Sequence, residues 1–105
     1  MNEVTGGWDD AEFANSHFTL RLFVAGASSN SLRAIANLKA ICERHLAGRY
    51  DLQVIDVHRE NSLAEREQII ALPLLIKILP LPERRLIGDM SDIHKVLQGL
   101  GIAES

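Results

Sequence analysis

Residues 18–57, FTLRLFVAGASSNSLRAIANLKAICERHLAGRYDLQVIDV, decide the fold. From Phe18 to Gly26, Thr19, Arg21 and Phe23 alternate with Leu20, Leu22 and Val24. This is the two-residue period of a strand, and Gly26 stops it. Ala27-Ser28-Ser29-Asn30-Ser31 then supplies turn residues and hydroxyls able to cap a helix. Leu32, Ile35, Leu38, Cys42 and Leu46 recur at steps of three and four, which predicts an amphipathic helix from Leu32 to Leu46, closed by Gly48. Tyr50–Val57 reads as a second strand with Leu52, Val54 and Ile55 buried. Strand, helix and strand in this order form a βαβ unit, whose two strands run parallel through a right-handed crossover.

The remainder is less regular. Residues 63–72 (LAEREQIIAL) favour a helix introduced by Asn61-Ser62, whereas 74–79 (LLIKIL) is too short for its period to separate strand from helix. Pro80-Leu81-Pro82 is a firm break. Arg84–Gly88 suits a short strand, and Asp89–Gly99 a helix with Ser91 near its N-cap. The expected order is βαβ–α–β–β–α, an α/β domain with a helix/strand conflict across 63–79.

A chain of 105 residues, 47% hydrophobic and 24% charged, is one domain's worth of a globular protein. The net charge of −3 is uneven. Residues 1–17 hold Glu3, Asp9, Asp10 and Glu12 without a Lys or Arg, while the rest carries eleven basic and ten acidic residues. Residues 1–17 show no period and are expected to be a flexible acidic tail ahead of a single domain over 18–105. No basic stripe suggests nucleic acid. No apolar run approaches the ~20 residues of a membrane span, and no signal-peptide pattern opens the chain, so a cytoplasmic location is expected.

The residues offer little catalytic chemistry. Cys42 is the single cysteine, set among apolar residues at helical spacing, and is expected to be a small buried hydrophobe. His17, His45, His58 and His94 have no metal-ligand spacing, and no glycine-rich phosphate loop is present, so neither metal nor cofactor is expected. Ser28, Ser29 and Ser31 lack a nucleophile-elbow context and are expected to cap the helix. The order of elements resembles the thioredoxin fold, in which the loop before the first helix carries C-x-x-C beside a cis-proline. Leu72-Pro73-Leu74 matches the proline, but the loop holds serines, and thiolate chemistry needs a thiol. A thioredoxin-like frame without thiols suits a binding module better than an oxidoreductase or a glutathione-dependent protein.

Further motifs are more specific. Leu22-Phe23-Val24-Ala25-Gly26 with Asn30-Ser31-Leu32-Arg33-Ala34 resembles the opening of KaiB proteins, and Tyr50–Val57 (YDLQVIDV) resembles their second strand. Leu63-Ala64-Glu65, Pro73, Leu79-Pro80-Leu81-Pro82 and Arg84-Arg85-Leu86-Ile87-Gly88-Asp89-Met90-Ser91 are similar to later family motifs, without gaps from Phe18 to about Leu100. The resemblance implies a metamorphic clock protein: a shared N-terminal βαβ half and a second half that exchanges slowly between two packings, one thioredoxin-like. It implies a homo-oligomer, dimer or tetramer, when free. The implied partner is a KaiC-like ATPase, with KaiA or a SasA-like kinase as further clock partners. Arg21, Arg33, Arg84 and Arg85 match basic family positions and imply docking to an acidic surface. Adjacent Arg84 and Arg85 should point to opposite faces of their strand. Pro73, Pro80, Pro82 and Gly99 match positions tied to the fold change. At Gly99, glycine's helical penalty and its tolerance of positive φ are the expected reasons. Gly101 stands where the family has aspartate, and Leu81 interrupts a triple proline. A stand-alone SasA-like sensory domain with one fixed fold is the alternative.

Overall fold

The computed structural model describes residues 17–69 and 71–102. Apart from His17, the tail expected over 1–17 lies outside the described residues.

The order of elements is β1 (Phe18–Val24), α1 (Ser29–His45), β2 (Tyr50–Asp56), α2 (Asn61–Arg66), β3 (Leu74–Leu79), β4 (Arg84–Ile87) and α3 (Ile93–Leu100). The strands form one sheet in the order β2-β1-β3-β4. β1 runs parallel to β2 over its whole length, from Phe18↔Tyr50 to Val24↔Asp56. β3 is antiparallel to β1, and β4 antiparallel to β3, with Leu74↔Ile87 through Lys77↔Arg84 in register. The ambiguous LLIKIL run is therefore a strand, and its burial on both faces explains why its sequence does not alternate.

Both faces of the sheet are covered. Leu20, Leu22, Val24 and Leu75 pack against Ala34, Leu38, Ile41 and Cys42 of α1 and Val96, Leu97 and Leu100 of α3. On the other face Phe23, Ile55, Leu74 and Ile76 are covered by Leu63, Ile69 and Leu72 from α2 and the chain after it. Each fully buried Leu, Ile or Phe contributes roughly 1.5–3 kcal/mol of apolar transfer, so the central strands carry most of the stability.

Four expectations need correction. Leu32 is 55% exposed, because the buried stripe of α1 runs through Ser31, Ala34, Leu38, Ile41 and Cys42. Small residues let the first turns lie close to the sheet, and a hydrophobicity pattern does not register them. Val54 is 38% exposed because β2 is an outer strand, beyond the cover of α1. The helix expected over 63–72 ends at Arg66. Gln68, at φ 58°, turns the chain into the left-handed region, with its N–H donating to Glu65 O and that of Ile69 to Ala64 O. This closure brings Ile69 and Leu72 under the sheet. The last helix starts at Ile93, and its cap is Asp92, whose carboxylate accepts from the Lys95 amide, while Ser91 N–H donates to Asp89 Oδ1.

Candidate functional site

The βα loop is where a thioredoxin frame would place its thiols. Here Ser28 Oγ donates to Ser31 Oγ (2.8 Å) and accepts from the Ser31 amide, and Ser31 Oγ also accepts from the Ala25 amide (3.0 Å). These hydroxyls are thus engaged in capping α1 and closing the loop. Gly26 (φ 62°) donates its N–H to Asp56 Oδ1, tying this loop to the end of β2. Leu72–Pro73, at the proline position of the frame, is a cis peptide, as are Leu79–Pro80 and Leu81–Pro82. Cys42 is buried under the other end of the loop's helix, and burial, with the Glu43 charge, pushes its thiol up to about 12. Among the described residues no group of His, Cys, Asp and Glu is placed to hold a metal. None of the helices described is long and apolar enough to cross a membrane.

The sheet register sorts the arginines. Arg21 of β1 and Arg85 of β4 both stand opposite Ile76 of β3, one on each side, and so share the face covered by α2. Glu67, the C-cap of α2, lies between them: its Oε2 is 3.6 Å from Arg21 Nη1 and its Oε1 3.3 Å from Arg85 Nη2. Alternation sends Arg84 to the opposite face, beside Lys77. Lys77 is only 4% exposed, and its ammonium approaches Leu100 O at the end of α3 (3.5 Å). Burial, and then the Arg84 charge, hold its pKa below the usual lysine value. Arg84 itself is exposed and makes no ion pair among the described residues. Arg33 lies apart on α1, where Nη2 donates to Asn30 Oδ1 (2.8 Å) and Nε is 3.5 Å from Asp89 Oδ2. Asp89 is held below the ordinary carboxylate value by hydrogen bonds from Ser91 first, with Arg33 adding to the effect.

The four arginines therefore form one pair around Glu67 and two separate positions. Glu67, Asp89 and Lys77 were not legible as their neighbours: the R-R-x-I-G-D run sets Asp89 near Arg84 and Arg85 in sequence, yet its partner is Arg33 of α1. Gly99 has helical backbone, and a Cβ there would lie 2.9 Å from Leu86 Cγ and meet a methyl of the same side chain. The positive φ anticipated for Gly99 belongs instead to Gly101 (φ 79°), which closes α3, with its N–H donating to Gln98 O and that of Ile102 to Leu97 O.

A four-stranded sheet covered by helices, with a cis-proline at the start of β3 and serines in the βα loop, defines a thioredoxin-like protein that lacks the redox thiols. Solved structures of that fold agree. The N-terminal domain of SasA from Synechococcus elongatus superposes with a TM-score of 0.67 at 23% identity, covering 100% of this chain and 94% of that one. Deadhead, a germline-specific thioredoxin of Drosophila melanogaster, gives 0.66 at 17%, over 90% and 89%. The KaiB domain matches residues 21–102. The circadian clock oscillator protein KaiB of Prochlorococcus marinus subsp. pastoris is 51% identical over 89 residues, 85% of this chain and 83% of that protein. The protein of the same name from Synechococcus elongatus is 52% identical over 85 residues, 81% and 83%. This chain belongs to the KaiB family.

Proposed function

We propose that this chain is a non-catalytic clock-type regulator that docks onto a KaiC-like ATPase after a slow change of fold in its second half. Family membership across residues 21–102 carries the reading. The guanidinium groups stand at three places, Arg21 with Arg85 around Glu67, Arg84 on the opposite face and Arg33 on α1, and each is suited to a carboxylate on such an ATPase, where desolvated charge pairs fix orientation and lifetime. Residues 18–57 serve as the constant half. Pro73, Pro80, Pro82 and Gly99 lie in the half that rearranges, and a partner that binds one packing better draws the population towards it. A KaiA-like protein or a SasA-like kinase competing for the same ATPase would act on this complex, and the free chain would be a homo-oligomer in the cytoplasm.

The test is co-elution from a sizing column with the host's KaiC homologue as its nucleotide-bound hexamer. A complex is expected, and reversing the charge of Arg84 and Arg85 to Glu should weaken it about tenfold or more, while the lost Arg85–Glu67 pair lowers stability by no more than about 1 kcal/mol. Absence of a complex at tens of micromolar, for phosphorylated and unphosphorylated ATPase alike, would sink the reading. A lowered melting temperature with unchanged affinity would make the arginines structural. The fit of the SasA domain over the whole chain favours a second reading, a sensory domain with one fixed fold. That protein would bind without a slow kinetic phase.

A further inference from the structure

We propose that the outer edge of β4 is a docking site for an extended acidic segment of a protein partner, which adds to the sheet as a fifth strand. The site shares Arg85 with the ATPase docking proposed above, but its occupant and its test do not require that docking.

β4 ends the sheet, so one side of its backbone has no strand beside it. Which groups face outward follows from the register. Gly88 N–H donates to Pro73 O (3.0 Å), and 88 opposes 73 in the same pairing that sets Ile87 against Leu74. In an antiparallel ladder, opposed pairs alternate between bonded and unbonded. Leu86 and Arg84 therefore bond to β3, while the N–H and C=O of Arg85 and Ile87 point away from it. Among the described residues no turn or cap bond takes them. The strand is short and carries exposed Arg84 and Arg85, which discourage a basic or neutral partner, but beside them Ile87 is 64% exposed and offers an apolar contact.

Beside this edge lies an open cavity of about 370 Å³ that reaches both faces of the strand. Leu74, Ile87 and Ala71 line it from the α2 side, and Leu86 from the α3 side. Its charged lining residues are Arg85 and Lys95, both cations. The occupant is specified by these three features together. Two outward amides and two outward carbonyls call for an extended backbone, since a helix has none to spare in its middle. The apolar lining calls for aliphatic side chains, and the cations call for carboxylates. A second copy of this chain does not fit, because an antiparallel β4–β4 pairing would crowd four arginines into eight residues.

The experiment uses the full chain, isotopically labelled, and a blocked hexapeptide of alternating aspartate and valine. Binding should slow hydrogen exchange at the amides of Arg85 and Ile87 and leave those of Arg84 and Leu86, already bonded, unchanged. N-methylation of the peptide on one alternate set of residues should weaken binding about tenfold, the worth of one or two net hydrogen bonds, and on the other set should have little effect. Lysine in place of aspartate should abolish binding. Ile87→Pro removes an outward N–H without breaking the ladder to β3, and should weaken the peptide to a similar degree. If that variant fails to fold, the N-methylated peptides decide alone. Equal binding of both N-methylated peptides would show attraction of charge without strand addition and overturn the proposal. So would no binding at about 1 mM, or a dimer in sedimentation velocity that protects the same two amides.

Discussion

Gly99 and Leu86 touch across the seam between α3 and β4, and the contact sets what an alanine can do there. A β-carbon at 99 favours a helix by about 1 kcal/mol over glycine. It also displaces Leu86, whose branch carbon would stand 2.9 Å away, and an off-rotamer leucine costs about 0.5–1.5 kcal/mol. The two effects oppose each other, so the single variant is uninformative and a double-mutant cycle is the right measurement. Gly99→Ala should stabilise the Leu86→Ala protein by about 1 kcal/mol and the unaltered protein by at least about 0.5 kcal/mol less, read from urea midpoints. Additive effects would show that Leu86 does not hold α3 at Gly99. The pairing with Leu86 is invisible in the sequence, where Gly99 reads only as a weak point in a helix.

Among the elements, the joint between the two parallel strands depends on one carboxylate. Asp56, the last residue of β2, accepts the His58 amide (2.9 Å) and the Gly26 amide (3.0 Å) on the same oxygen, and so holds the β1 loop to the end of β2. The His58 amide first, then the Gly26 amide and the nearby charges of His58 and Arg59, keep its pKa below the ordinary 3.8, outweighing burial. A depressed folded pKa means that the unfolded chain binds the proton more readily. The stabilisation is therefore complete above the unfolded value, about pH 4, and is lost as pH falls through the folded one. Asp56→Asn keeps an acceptor without the charge. Its urea midpoint should fall less steeply between pH 5 and about pH 2 than that of the unaltered protein. Parallel slopes would mean that the carboxylate contributes nothing to the joint. At this scale the sequence was informative about which elements occur and in what order, because turn residues and prolines act locally. It was weaker on where α2 and α3 begin and end. The left-handed turn at Gln68 is compensated by burying Ile69 and Leu72, which no local signal contains.

For the whole molecule, the two halves differ in how well local preference and packing agree. In residues 18–57 the type and order of elements agree from strand alternation through helix cap to parallel pairing, with Leu32 and Val54 off the expected burial. In the second half α2 is six residues long, β4 four, and the run between them was ambiguous as a sequence. The fold change proposed above requires two packings of this half that differ by only a few kcal/mol. Amide NMR of the free chain should show one set of peaks for 18–57 and two sets for residues after 61, with added KaiC-like ATPase drawing the second half towards one set. A single set throughout, unmoved by the ATPase, would favour the fixed-fold SasA-like reading.

The sequence by itself determined the βαβ unit, the short strand over Arg84–Gly88, the last helix, the serine-bearing loop, the buried Cys42 and the family, but not that 74–79 is a strand. Each of these is written in residues close together in the chain: periods of two and four, a glycine stop, a motif with fixed spacing. Only the tertiary structure decided that Arg21 and Arg85 converge on Glu67, and that Lys77 is buried against the end of α3. These contacts join residues far apart in sequence. Their partners are chosen by strand order and register, and a residue cannot announce in its own neighbourhood which strand will lie beside it.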